Sequence, residues 1–394
     1  MTPASPGDAR ELAVALVASA AEAEPALLRV RGVDLAGALE QQLFFALRDG
    51  MPAGAPVPGR VHALALGRAA GAALLGTVRA LSRSRMEPGG ALLLIREPTH
   101  DPVVSRLAAE LARNGIALGV VRTGRAASVA GPPGLPSAPL SAFVDAASTA
   151  ALWQLQALLL ARASRATAGW RQLAGDAPVT GLRAVLAREL PRIALGGVAL
   201  AAAVRHWQPR ALVAFDEIGT WARLLPAVGR AAGIGSLDLP HAEAADATAI
   251  RGAGYDRMAV YGTRAAEVLR AAGVAPERIV QIGAPRFDPL IAALRGGVTA
   301  GDRRRIVYAA QYVTGRMTPP LLAATRQAAL AAARAAAPAE LVLVPHPAAG
   351  EALSLPEPSA GIGLRLAPGG LHGELPGAWL LVTGWSNSVF EAAL

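Results

Sequence analysis

Two residue types are missing from this chain: there is no cysteine, and all 38 basic residues are arginine. Without cysteine there is no thiol nucleophile, no disulfide and no zinc–thiolate site. Without lysine there is no phosphate-loop lysine, no kinase-type lysine and no Schiff base, because each of those chemistries needs an ε-amine at a fixed place. Aromatic residues make up only 4%, and no zinc-finger, RNA-recognition or basic-zipper pattern occurs, so nucleic acid is not expected as a partner. No apolar run reaches the ~18 residues of a membrane-spanning helix. The early run Leu12–Ala21 has Asp8 and Glu11 beside Arg10, which denies it the basic flank of a secretory signal and makes it a helix instead. A soluble, cytoplasmic protein is the expectation.

The chain is rich in apolar residues and arginine. With 394 residues, 53% of them hydrophobic, it can bury the cores of two domains. The formal net charge of +9 sits on guanidinium groups and favours anionic partners: nucleotide phosphates, acidic glycans, or peripheral contact with an anionic inner-membrane surface. A GC-rich genome, which writes Ala, Arg, Gly and Pro, accounts for the same composition equally well.

Residues 1–49 read as an N-terminal helical extension, followed by the Gly- and Pro-rich stretch Gly50–Gly59. Strand and helix patterns then alternate: Val61–Leu66, Ala91–Ile95, a helix over Pro102–Asn114, and Ile116–Val121. A helical insert over about 147–207 breaks near Gly175–Pro178 and at Pro191. After Pro209 come strand Ala211–Phe215, helix Thr220–Ala232, and strands Gly235–Leu239, Arg257–Tyr261 and Arg278–Ile282. Leu294–Arg303, with three glycines, is the expected hinge between a first domain (60–294) and a second (304–394). The second continues with Ile306–Ala310, helix Pro320–Ala336, Leu341–Val344, a weaker strand near Gly363–Leu366, Ala378–Val382 and a helix from Ser388. This is βαβ grammar, so the fold class expected is α/β with parallel sheets. The second domain has few strands for a doubly wound sheet and ends inside a helix, which reads as an incomplete domain.

Ligands of such sheets bind beyond the carboxyl ends of strands, so the strand exits are where chemistry is sought. At Thr383–Glu391, Ser386 and Ser388 stand where a strand opens into a helix, a place suited to phosphate. The plainer reading is a capping box, with Ser388 as the cap and Glu391 reaching back to it. His346 and Pro347 follow the strand Leu341–Val344. Gln311, Thr314 and Arg316 follow Ile306–Ala310, and Arg316 has the fork to hold a phosphate. In the first domain Asp216 and Glu217 lie just past a buried strand, where a carboxylate can deprotonate an acceptor hydroxyl. An acid that caps the following helix is the plainer reading there. His241, after the next strand, is the competing base. His62, His100, His206 and His372 lack metal-ligand spacing, so neither a metal nor a cofactor is expected.

The order of segments resembles bacterial GT-B glycosyltransferases of capsule, lipopolysaccharide and related surface-polysaccharide pathways. The matching residues run Ala232-Gly-Ile-Gly-Ser-Leu-Asp-Leu-Pro240-His241, Val260-Tyr-Gly262 and Gly273 through Gly283-Ala-Pro285-Arg286-Phe287-Asp288, then the His346-Pro347 pair and the Ser-rich turn leading to Phe390-Glu391-Ala392. The resemblance spans roughly Pro209–Leu394. It implies two Rossmann-like domains facing a cleft, with a nucleotide-sugar donor held mainly by the second. It places His346 near the nucleotide, Ser386 and Ser388 on its phosphate and Glu391 on the ribose. The His-Pro and Ser pattern is similar to that of sialyltransferase-related families and leans the donor towards a CMP-linked sugar. The sequence departs from the family at Asn387, where a second Ser or Thr is usual, and after His241, where a glycine is often seen. The activity implied is transfer of a sugar to a surface-glycan or lipid-linked acceptor. A nucleotide-sugar epimerase of the same fold is the alternative, and a non-catalytic scaffold the third reading.

Overall fold

The computed structural model describes residues 5–49, 86–96, 101–175, 179–240, 246–295, 302–312, 317–346, 361–367, 370–384, 386 and 388–393. The chain divides into two compact units, Met1–Gly283 and Ala284–Leu394. The division precedes the helix Asp288–Arg295 and therefore also the glycine-rich stretch expected as the hinge. The expected strand Val61–Leu66 lies outside the described residues.

The first unit opens with the helix Pro6–Ala23, the strands β1 (Arg29–Val30) and β2 (Val33–Asp34), and the helix Ala36–Arg48. The two strands form an antiparallel hairpin that the helical reading of residues 1–49 missed. Its turn is Arg31-Gly32, both at positive φ (51° and 82°), the conformation that a two-residue hairpin demands. Nor is this segment an extension. Leu16, Leu39, Leu43 and Phe44 are buried in one continuous core with Leu92, Leu94, Leu212 and Ala214 of the sheet, because the helices carry apolar residues at helical spacing towards it.

That sheet has seven parallel strands: β3 (Ala91–Ile95), β4 (Leu118–Arg122), β5 (Ser137–Pro139), β6 (Ala211–Ala214), β7 (Gly235–Asp238), β8 (Arg257–Val260) and β9 (Ile279–Gln281). Their spatial order is β5-β4-β3-β6-β7-β8-β9. Alternate residues of the central strands serve opposite faces. Leu92 and Leu94 join the larger core, and Leu93 and Ile95 join a second one with Val104 and Ala108 of the helix Asp101–Arg113.

The helical insert forms Ala146–Ala166, Trp170–Ala174 and Val179–Trp207. Pro191 does not break the last of these, contrary to the sequence expectation; it lies inside a 29-residue helix. A proline there loses one backbone hydrogen bond, and the helix, buried on Leu190, Pro191, Ile193 and Ala194, tolerates that because tertiary packing holds it.

The second unit carries β10 (Asp302–Ala309), β11 (Ala339–Val344), β12 (Ile362–Leu366) and β13 (Ala378–Thr383), again parallel, in the order β12-β11-β10-β13. The helix Pro319–Ala335 covers one face, with Ala329, Leu330 and Ala333 packed on Ile306, Tyr308, Leu341 and Leu343. Arg365 bridges Glu340 of the neighbouring strand (2.9 Å) and Glu374 (2.7 and 2.9 Å), tying three elements of this small unit together. The class is the expected one: α/β, built on two Rossmann-like parallel sheets.

One side chain sets the spacing behind β4. Trp207, 1% exposed, meets Phe143 edge-on with ring centroids 5.2 Å apart. It also lies against Gly119, where an added Cβ would come within 3.0 Å of the indole and 2.6 Å of Met86 Sδ. Trp207→Ala is expected to cost about 3–5 kcal/mol through the cavity it leaves. Gly119→Ala is expected to cost about 1–3 kcal/mol through overpacking. Urea unfolding midpoints read both, and an unchanged midpoint in either variant would contradict this packing.

Candidate functional site

In the seven-stranded sheet the chain runs outward from β3 to β5, returns to the other side of β3 with β6, and runs outward again to β9. The order reverses between β3 and β6, which makes their carboxyl ends the switch point where an open parallel sheet leaves a crevice. Leu94 pairs with Ala214, so Arg96 and Asp216 leave the sheet side by side. Arg96 Nη1 stands 3.7 Å from Asp216 Oδ2, with the arginine half exposed and the carboxylate buried.

Asp216 is the first of three buried carboxyl groups at this edge, at 3% exposure; Glu217 follows at 6%, and Asp238, the last residue of β7, is at 2%. The backbone of residue 216 is clamped on both sides. Its N–H donates to Asp238 Oδ1 (3.2 Å), and its carbonyl accepts from the Tyr255 hydroxyl (3.2 Å). Its side-chain Oδ1 accepts the Gly219 N–H at 2.7 Å. A Cβ at Gly219 would fall 2.4 Å from both carboxylate oxygens, so only glycine lets the turn close over Asp216. Asp216 does not cap the following helix, which starts at Trp221 with Thr220 as its N-cap; its Oδ1 closes the turn that precedes it.

Support reaches this turn from the first fifty residues. Gln41 donates to Ile218 O and Gln42 to Thr220 Oγ1. Gln41 Oε1 in turn accepts from Arg10 and Arg223 (2.8 Å each), whose guanidinium groups also share the carbonyls of Ala249 and Arg251. Burial, and then the neighbouring Arg10, lower Arg223 to about 10, with Glu40 and Asp216 acting in the opposite sense.

Burial and neighbouring negative charge both disfavour the ionised form of a carboxyl group. Asp238 is held well above the ordinary carboxylate range, by burial first, then by Glu217 and Asp216; the hydrogen bond from the Asp216 N–H opposes the shift. Burial, with Asp238, Asp216 and Glu217 around it, likewise raises the Tyr255 phenol.

The second sheet repeats the pattern. The chain runs from β10 out to β12 and returns on the other side of β10 with β13, so its switch point lies between β10 and β13. Ala309 pairs with both Val344 and Thr383, which brings the exits carrying Gln311, His346 and Ser386 to one edge. The rings of Tyr312 and His346 lie 4.7 Å apart at an interplanar angle of 43°. Thr383 Oγ1 donates to Ala309 O (3.1 Å) and accepts from the Ser388 hydroxyl (3.2 Å), a chain of bonds that stitches β13 to β10. The Ser388 N–H donates to Ser386 Oγ (3.2 Å), and Glu391 lies 3.4 Å from His372 Nε2. The capping box expected of Ser388 and Glu391 does not form in that way. The short helix starts at Ser388 itself, so Ser386 supplies the bond and Ser388 turns its hydroxyl inward.

The structure thus gathers Asp216 and Glu217 at one edge, and Gln311, His346, Ser386, Ser388 and Glu391 in the second unit around the other. His241, Thr314, Arg316, Pro347 and Asn387 lie outside the described residues. Among the described residues no group of three His, Asp or Glu is placed to hold a metal, and no helix is long and apolar enough to cross a membrane. Arg96, Asp238, Tyr255, Gln41 and Tyr312 were not singled out from the sequence. Only Asp238 carried a signal, as a carboxylate at the end of a buried strand.

No protein-family model and no curated protein matches the chain. Among solved structures it is similar to UDP-N-acetylglucosamine 2-epimerase from Rickettsia bellii, at 11% identity and a TM-score of 0.43, over 78% of this chain and 77% of that one. It is also similar to the UDP-GlcNAc 2-epimerase from Neisseria meningitidis bound to UDP-GlcNAc, at 9% and 0.44, over 75% and 77%. A third is the wall teichoic acid polymerase TagF, at 9% and 0.39, over 90% and 72%. The functional reading rests instead on the residues at the two sheet edges.

The proton on Asp238 has a measurable consequence. In the unfolded chain this carboxyl ionises near pH ~4. In the folded chain it keeps its proton to higher pH, so the folded state binds more protons over that interval. Its contribution to stability is full below about pH 4 and is lost as pH rises through the folded value. Asp238→Asn keeps an acceptor for the Asp216 N–H and carries no charge. The wild-type melting temperature is expected to fall more steeply than that of the variant between mildly acidic and mildly alkaline buffer; parallel curves would show that Asp238 is not the group that holds the proton.

Proposed function

We propose that this protein is a glycosyltransferase that moves a sugar from a nucleotide-sugar donor to a hydroxyl of a surface-glycan or lipid-linked acceptor. The observation that carries the reading is the buried carboxyl trio Asp216, Glu217 and Asp238 at the switch point of the first sheet. Carboxylates there accept a proton from an acceptor hydroxyl, the one group transfer of this kind requires. In this scheme Asp216 or Glu217 takes the hydroxyl proton while Asp238 accepts the Asp216 N–H and holds that backbone in place. His241, the competing base read from the sequence, belongs to the same proposal. The acceptor oxygen bonds to the sugar carbon as that carbon's bond to the donor phosphate breaks, and the phosphate leaves with the electron pair.

The second sheet supplies the donor side. Tyr312 and His346 offer paired ring faces for a base, and Gln311 and Ser386 offer hydrogen-bonding groups at the same edge. Thr314, Arg316, Pro347, Asn387 and Glu391 complete the nucleotide set assigned from the sequence, with Ser388 supporting the Ser386 turn. The sequence resemblance to sialyltransferase-related families supports a CMP-linked donor.

One observation favours a second reading. A carboxyl group held well above the ordinary range beside two others offers an acid next to a base, which epimerisation of a nucleotide sugar also uses. Product analysis with donor alone separates the two, because an epimerase turns over without an acceptor.

The donor assignment is tested by calorimetric titration with CMP, CDP, UDP and GDP. One of them is expected to saturate the protein. His346→Ala is expected to weaken that binding by about tenfold or more, and Ser386→Ala by a smaller factor. Absence of binding by all four would refute the donor site and favour a non-catalytic scaffold.

A further inference from the structure

The helix Ala146–Ala166 is apolar on both sides. Its inner face sends Leu152, Leu155 and Leu159 into the core. On its outer face Trp153 is 48% exposed and Leu160 64%. Trp153, Ala157, Leu160 and Ser164, all exposed, follow one another at helical spacing as a single stripe about 16 Å long. An amphipathic surface helix puts charges on that face; one that is apolar all round has a second apolar partner to meet.

Arginine predominates beside this stripe, against one exposed acid, Asp145 at the start of the helix. Residues 146–175 include Arg162, Arg165 and Arg171 and not one Asp or Glu. Arg162 and Arg165 reach down to Glu24, 3.0 and 3.5 Å away, a carboxylate that is itself buried. Arg165 stays largely in solvent, Arg162 is partly exposed, and Arg171 is exposed as well.

We infer that this face docks on the surface of an anionic lipid bilayer, with Trp153 and Leu160 entering the headgroup layer and Arg162, Arg165 and Arg171 lying among the lipid phosphates. An exposed tryptophan and leucine flanked by arginine match the two halves of that boundary, one apolar and one negatively charged. A second copy of the chain fits less well, because two-fold pairing of this face would bring like charges together. A helix ridge is also convex and offers no groove to a folded partner, whereas a bilayer adapts to it. This inference does not depend on the transferase reading.

The test is co-sedimentation of the full chain with phosphatidylcholine vesicles, with and without phosphatidylglycerol. Wild type is expected to bind only the anionic vesicles. Trp153→Ser combined with Leu160→Ser is expected to lower binding roughly tenfold, and Arg165→Gln combined with Arg171→Gln to remove the preference for phosphatidylglycerol. Trp153 is half buried and Arg165 pairs with Glu24, so each variant's melting temperature is measured and binding is compared at a temperature where all of them are folded. Failure of wild type to bind anionic vesicles, or undiminished binding by the Trp153/Leu160 variant, would overturn the inference. So would concentration-dependent dimerisation that the same variant abolishes in the absence of vesicle binding, which would assign the face to contacts between copies.

Discussion

Asp216, Glu217 and Asp238 share one buried sheet edge, and the repulsion among them out of water governs what surrounds them. Burial, then Glu217 and Asp216, hold Asp238 well above the ordinary carboxylate range. The rest of the arrangement holds residue 216 still: Asp238 takes its N–H, Tyr255 binds its carbonyl, and Gly219 closes the turn over its carboxylate. A purely apolar edge would need none of these bonds. A fold that buries acids in this way retains an arrangement costly to stability, and catalysis is the reading under which such an arrangement is useful.

The two sheets apply one rule twice. Each has its first described strand inside the sheet, builds outward on one side, and then returns to the other, so the described strands of each have a single switch point. The edges differ in chemistry. The first presents carboxyl groups with a half-exposed arginine, Arg96, beside them. The second presents an imidazole, a phenol and hydroxyls, with Ser388, Thr383 and Ala309 forming the stitch that joins β13 to β10. Proton transfer suits the first edge and recognition of a polar ligand suits the second. That division follows from residue chemistry and sheet order within each unit.

Much of the fold was legible in the sequence, because short apolar runs bounded by Gly and Pro mark strands wherever the βαβ alternation is regular. From Ala211 onward the expected strands lie within a few residues of those observed, as with Ala211–Ala214 and Ala339–Val344. Local pattern failed where tertiary structure overrode it. Pro191 continues a helix because its surroundings are buried, and Arg31-Gly32 makes a hairpin turn between segments that read as one helical region. The exits with Asp216, His346 and Ser386 were recognisable from strand ends alone. Tyr255 and Gln41 were not: they lie 39 and 177 residues from their partners in the Asp216 turn, and only tertiary packing brings them there.

The central claim is that the carboxylates at the first switch point do chemistry and do not merely support a turn. It is tested most directly by measuring nucleotide release from a panel of nucleotide sugars, with a lipid-extract acceptor, for wild type and for Asp216→Asn with Glu217→Gln. Both substitutions preserve shape and remove the base. The account predicts that turnover falls by about a hundredfold or more while nucleotide affinity and melting temperature stay near wild type. Turnover that survives in the double variant would contradict it.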